Sequence, residues 1–248
     1  MANWAFTRWR GLGGALALFV CVPLTFAGCT EETDDYRYRL TVEVETPDGL
    51  RSGSSVIEVE TEIVRPGSNP AGSAVSWKVR GEAVAVDMPD GSTLFALLRS
   101  NNDVEWPARV VPMAIMRGRN LSWEQVYAEL PRMDGVQRLP RNWPANAILP
   151  ERSAYPMLVT FGDISDPTSV MEIDPDNLAA TFGEGYALHR ITVQITDDPV
   201  TTGIEERLGW LPEFYDKMLD GQRLNSIDAE NRLANDLSQG AFSKGILQ

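Results

Sequence analysis

Apolar and polar residues alternate with a period of two from Tyr36 onward. Tyr36, Tyr38, Leu40, Val42 and Val44 interleave with Arg37, Arg39, Thr41, Glu43 and Glu45. After Thr46-Pro47-Asp48-Gly49, Ile57, Val59, Thr61 and Ile63 interleave with Glu58, Glu60 and Glu62. A period of two puts one set of side chains in a core and the other in water, which predicts two neighbouring strands of an antiparallel sheet with one wet face. Residues 66–73 form a Pro/Gly/Ser loop, and Val75, Trp77 and Val79 start a third alternating strand. Ala83–Met88 and Thr93–Leu98 are nearly continuous apolar runs around Pro89-Asp90-Gly91, a hairpin whose strands are covered on both faces.

The pattern then changes. Val110–Met116 is an apolar run that Pro112 confines to a sheet edge or splits. Asn120–Leu130 has helical periodicity, with Ser122 and Gln125 as a capping box, Leu121 as a staple, and Trp123, Val126, Tyr127 and Leu130 on one face. Residues 131–156 have no periodicity and hold five prolines, so this stretch is either a functional loop or disordered. Met157–Phe161 is a short strand, and Asp174 caps a short helix carrying Leu178 and Phe182 inward. Ala187, His189, Ile191, Val193 and Ile195 form one face of the last strong strand. Thr202 and Glu205 form a second capping box for a helix through Leu211. From Gly221 the chain is polar, and Ser238–Gln248 reads as a loose end.

These elements predict an α+β chain, mainly antiparallel β-sheet with a few short capped helices; the alternative is a β-sandwich with peripheral helices. The organisation read from the sequence is a leader at 1–28, an acidic tether at 29–35, a β-rich domain at 36–220 and a polar C-terminal helix or tail at 221–248.

Charge narrows the partners. The formal net charge is −13, and residues 1–28 hold Arg8 and Arg10 but no acid, leaving the remainder at −15. A body that acidic repels phosphate backbones, which argues against nucleic acid. Cys21 and Cys29 are the chain's two cysteines and both belong to the leader region, so no disulfide framework is expected in the body.

The N-terminus has the charged, apolar, then small-residue layout of a secretion signal. It ends in Leu24-Thr25-Phe26-Ala27-Gly28-Cys29, which resembles the lipobox of bacterial lipoprotein precursors. That resemblance implies cleavage before Cys29 and fatty acylation of its sulfur, with Phe26 standing where Leu, Val or Ile is usual. The competing readings are an ordinary cleaved signal and a retained span, for which the uncharged run of 18 residues from Gly11 to Gly28 is short and glycine-rich. Thr30 follows the cysteine in place of a retention aspartate, which tilts the expected address to the periplasmic side of the outer membrane; the alternatives are a periplasmic or inner-membrane-anchored protein. The segments 36–47, 53–59 and 191–199 resemble uncharacterised lipoprotein-like proteins of proteobacteria, a likeness that brings no known activity.

Little else suggests catalysis. His189 is the single histidine, on the apolar parity of its strand, and no Gly-x-Ser-x-Gly is present. Asp163, Asp166, Asp174, Asp176 and Asn177 offer oxygen ligands but lack calcium-loop spacing, and they suit turns and caps equally well. No catalytic residue, metal or cofactor is expected. The anomaly is the arginine-bearing stretch after Pro131. Arg138, Arg141, Trp143 and Arg152 are the candidate ligand-binding residues, through guanidinium forks and an indole face; the competing reading pairs these arginines with the protein's own acids. The expectation is a non-catalytic envelope lipoprotein held to the bilayer by acylated Cys29 and contacting an envelope protein or anionic glycan. The alternative is an envelope hydrolase working with paired carboxylates.

Overall fold

The computed structural model describes residues 30–32, 35–64, 75–145 and 151–246. The leader, Cys29 and the 66–73 loop lie outside the described residues. In chain order the strands and helices are β1 (Thr30–Glu32), β2 (Tyr36–Thr46), β3 (Gly49–Val64), β4 (Val75–Glu82), β5 (Val84–Asp87), β6 (Thr93–Ala96), α1 (Trp106–Met116) and α2 (Trp123–Glu129). There follow β7 (Gln137–Arg138), β8 (Asn142–Trp143), β9 (Arg152–Ser153), β10 (Leu158–Phe161), β11 (Val170–Ile173), α3 (Ala179–Phe182), β12 (Ala187–Ile195), α4 (Arg232–Asp236) and β13 (Ser243–Lys244).

A seven-stranded sheet runs β13-β4-β3-β2-β12-β7, with β1 also pairing β3; a four-stranded sheet runs β11-β10-β6-β5. Every pairing is antiparallel, so the chain is α+β and dominated by antiparallel sheet. The β2–β3 hairpin turns at Pro47-Asp48, with Thr46 opposite Gly49, and β2 alternates buried and wet along its length as the pattern requires. β6 and β10 are buried on both faces, which explains their unbroken apolar runs. Leu94 and Ala96 join Tyr38, Leu40 and Val42 in the main core, whereas Phe95 and Leu97 face a second core with Leu208, Leu211 and Phe242.

The run at 110–116 is not an edge strand: it is the second half of α1. Trp106/Val110 and Pro107/Val111/Ile115 repeat every four residues and are buried, a helical stripe that Pro112 disguises. Proline within a helix leaves the carbonyl four residues back without its amide donor. That carbonyl is Ala108 O, and the buried Tyr36 hydroxyl donates to it at 3.2 Å; Tyr38 donates to the neighbouring Pro107 O at 2.7 Å. Burial pushes both phenols well above their usual pKa, keeping them as donors. Tyr36→Phe is expected to cost about 1–2 kcal/mol in urea unfolding by orphaning a buried carbonyl. In a Pro112→Ala background the cost shrinks, because the restored amide can bond Ala108 O.

α2 carries the expected Ser122–Gln125 capping box and buries Val126 and Tyr127. Four other expectations change. Asp174 does not cap a helix; it accepts from the Asp176 amide in a turn, and α3 starts later, at Ala179. Thr202 does not cap either: a 3-10 turn at Ile204–Glu206 begins after Gly203, whose φ of 110° suits glycine. Its amide donors are taken by Glu82 from β4, at 3.1 Å to Gly203 N and 2.9 Å to Ile204 N. Of the stretch read as a loose end, residues 238–246 are held in place. α4 and β13 pack onto the body, and Leu237 and Phe242 are fully buried in the second core. Thr30–Glu32, read as tether, pair their backbone with Glu62–Val64.

Candidate functional site

The stretch after Pro131 is pinned by a few apolar anchors. Leu139 N donates to Ile191 O at 2.9 Å beside the β7–β12 pairing. Trp143 is buried in the main core along with Ala154 and Tyr155, and Trp106 Nε1 donates to Ala154 O at 3.0 Å. β8 and β9 form a short ribbon, with Trp143 opposite Arg152.

This arrangement separates the four candidate residues. Trp143 is only 3% exposed, so its indole face is part of the core. Arg152 turns toward α1, where Nη2 lies 3.3 Å from Met113 Sδ, and burial holds its guanidinium below the usual pKa. Arg138 sits at the sheet edge and donates to His189 O at 3.1 Å. Arg141 lines a cleft. Its Nε donates to Asp176 at 2.9 Å, Nη1 donates to Ser153 Oγ at 3.1 Å, and its guanidinium lies over the Tyr155 ring.

The cleft has a volume of about 520 Å³, within the range of small-ligand sites. Asn101, Asn142, Glu172 and Asp174 join Arg141 on its walls, with Leu158 and Ile173 as apolar lining. Asn101 donates to Glu172, and Asn142 donates to Glu151 at 2.8 Å. The site thus offers amide and guanidinium donors beside carboxylate acceptors, the equipment of a binding site for a polar ligand. Sequence reasoning found Arg141 by its charge. It read Asp174 as a cap or oxygen ligand rather than part of this cleft, and it missed Asn101 and Glu172, which come from distant stretches of the chain and carry no local signal.

His189 is not where its parity put it. A bulge between Leu188 and Arg190 shifts the register, so Leu188 pairs with Val44 and the imidazole stands on the wet face. There Nδ1 lies 2.8 Å from Glu45 Oε1, away from the cleft. The rest of that face is laced by its own ion pairs: Arg37 with Glu58 at 2.8 Å, Arg190 with Glu43 at 2.8 Å, and Arg39 with Asp198. The turn aspartates act as turn formers: Asp163 accepts from Ser165 N, and Asp166 from Thr168 N. Among the described residues, no group of three or more His, Cys, Asp or Glu side chains is placed to hold a metal ion.

A second cleft, of about 760 Å³, lies in the C-terminal region beside Asp220, Arg223, Asp228 and Glu230. The buried Asn235 organises the loop around it, accepting from Ser226 N at 2.6 Å and donating to Asp220 Oδ2 at 2.8 Å.

Glu82 lines neither cleft. Burial pushes its carboxyl pKa up, the Ile204 and Gly203 amides pull it down, and Glu205 nearby adds to the rise. A raised acid keeps its proton in the folded state after the unfolded chain has lost it. Stability from this group is therefore full below the ordinary glutamate pKa and falls as pH rises toward the raised value. Asp87, held low by the hydrogen bond from Arg207, behaves oppositely, losing its contribution as pH falls below the ordinary aspartate value. Glu82→Gln is expected to flatten the decline on the glutamate side only, as read from urea unfolding across the acid range.

No protein-family model matches the chain, and no curated protein or solved structure is similar to it.

Proposed function

We propose that this chain is a lipid-anchored envelope protein whose body binds a partner or polymer rather than transforming one. The observation that carries the reading is the junction at Cys29. The lipobox-like Leu24–Cys29 is followed at once by Thr30–Glu32, whose backbone pairs with the end of β3. Acylation of Cys29 would then put the anchor one residue ahead of β1 in the chain, a short link between body and bilayer. The acids Glu31, Glu32, Asp34 and Asp35 would keep it off anionic head groups. No helix among the described residues is long and apolar enough to cross a membrane. Thr30 after the cysteine favours the outer membrane, with the body facing the periplasm.

The amide and carboxylate cleft beside Arg141 supports the binding half of the reading. A second reading, hydrolysis by paired carboxylates, is favoured by one observation: Glu172 and Asp174 line the same cleft. Globomycin, which blocks the lipoprotein signal peptidase, tests the anchor. Accumulation of the uncleaved precursor is expected; normal processing in its presence would remove the lipid anchor.

A further inference from the structure

We propose that the cleft beside β11 takes an extended peptide segment carrying a basic side chain. This rests on the binding reading above and supplies its ligand class.

The first support is the sheet edge. β11 is the terminal strand of the four-stranded sheet, bonded to β10 with Leu158 opposite Ile173 and Val159 opposite Glu172. Among the described residues, no other strand pairs with β11 and no loop or turn backbone hydrogen bond reaches Val170–Ile173, while α4 packs close beside it. Unpaired backbone groups on a terminal strand are a template for an incoming extended chain. Val170 belongs to the second core with Ala234 of α4, whereas Glu172 and Ile173 reach the cleft.

Charge is the second support. Glu172 and Asp174 line the cleft, and Glu151 is bonded to lining Asn142. Arg141 is the lining cation, and Asp176 already holds it at 2.9 Å. The surplus is negative, so a lysine or arginine side chain is the complement and an anionic glycan is not. A sugar also lacks its usual platform, because Trp143 and Tyr155 are buried in the core rather than presented as flat faces.

The test uses the purified full chain and three probes: the capped peptide Val-Lys-Val-Lys-Val, its glutamate counterpart, and a neutral chitin oligosaccharide. The lysine peptide is expected to bind, more weakly as salt rises, and to protect the amides of Met171–Asp174 from hydrogen exchange. The double variant Glu172→Gln, Asp174→Asn keeps the oxygen acceptors for Asn101 and the Asp176 amide, so it should fold. Its affinity for the lysine peptide should fall at least about tenfold. Absence of lysine-peptide binding, or binding that the double variant leaves unchanged, overturns the inference. If the glutamate peptide or the oligosaccharide protects those amides instead, the basic-peptide class is wrong and the binding reading stands. If none of the three alters exchange at the cleft, both fail.

Discussion

Gly53→Ala is expected to destabilise the fold by about 3 kcal/mol, at the upper end of overpacking costs. A Cβ at position 53 would lie 2.0 Å from Ala85 O, 2.8 Å from Ala85 C and 3.2 Å from Val84 Cγ1. Two of these are backbone atoms, so no side chain can swing aside. β3 passes over β5 here, and the two sheets close on the core that holds Val42, Val84 and Val86. Making room means moving one sheet away from the other and loosening that packing. Gly209→Ala is the control: a Cβ there meets nothing within 4 Å, and the change should stay within about 0.5 kcal/mol. Urea midpoints of the two variants decide the matter. A Gly53→Ala protein as stable as the parent would mean that β3 and β5 do not approach as described.

Phe242→Ala is expected to cost about 3–5 kcal/mol, the range for deleting a buried aromatic. Phe242 is fully buried, with its ring centroid 6.1 Å from Phe95, 6.0 Å from Phe161 and 6.0 Å from Trp210. Its neighbours make it a clasp between sheets. Phe242 O accepts from Ala83 N and Ala241 O accepts from Leu98 N, each at 2.8 Å, while Ser243 pairs with Glu82 of the large sheet. The C-terminal segment thus bonds to the ends of β4 and β6 at once, and the phenyl ring fills the space between. Phe242→Leu keeps most of that volume and should lose less. Trp210 fluorescence reports the change directly, since its indole packs edge-on to the phenyl ring. Stability unaffected by Phe242→Ala would return residues 238–246 to the status of a tail.

Elements whose reason is local were legible in the sequence. The β2–β3 hairpin declared itself because one face is wet, and α2 because Ser122 and Gln125 cap it from within. What stayed hidden is held together across the chain. Pro112 looked like a strand breaker because its compensation, the Tyr36 hydroxyl, comes from 72 residues before Ala108. The turn at Ile204 is capped by Glu82, 122 residues earlier, and no window around Thr202 contains that carboxylate. Phe242 is a lone aromatic among Gly, Ser and Lys, too isolated to form a pattern. His189 followed strict alternation until a bulge, which leaves no mark in composition, turned it outward. The cleft was half legible. Arg141 stood out by charge, but without periodicity nothing told a buried Trp143 from an exposed one; Asp174 read as a helix cap, and Glu172 carried no signal at all.

The intact mass of the protein extracted from native membranes tests the central claim most directly. The account predicts a chain beginning at Cys29 and carrying the added mass of fatty acyl groups on that residue. A chain beginning at Cys29 without added mass, or one still joined to residues 1–28, would contradict it.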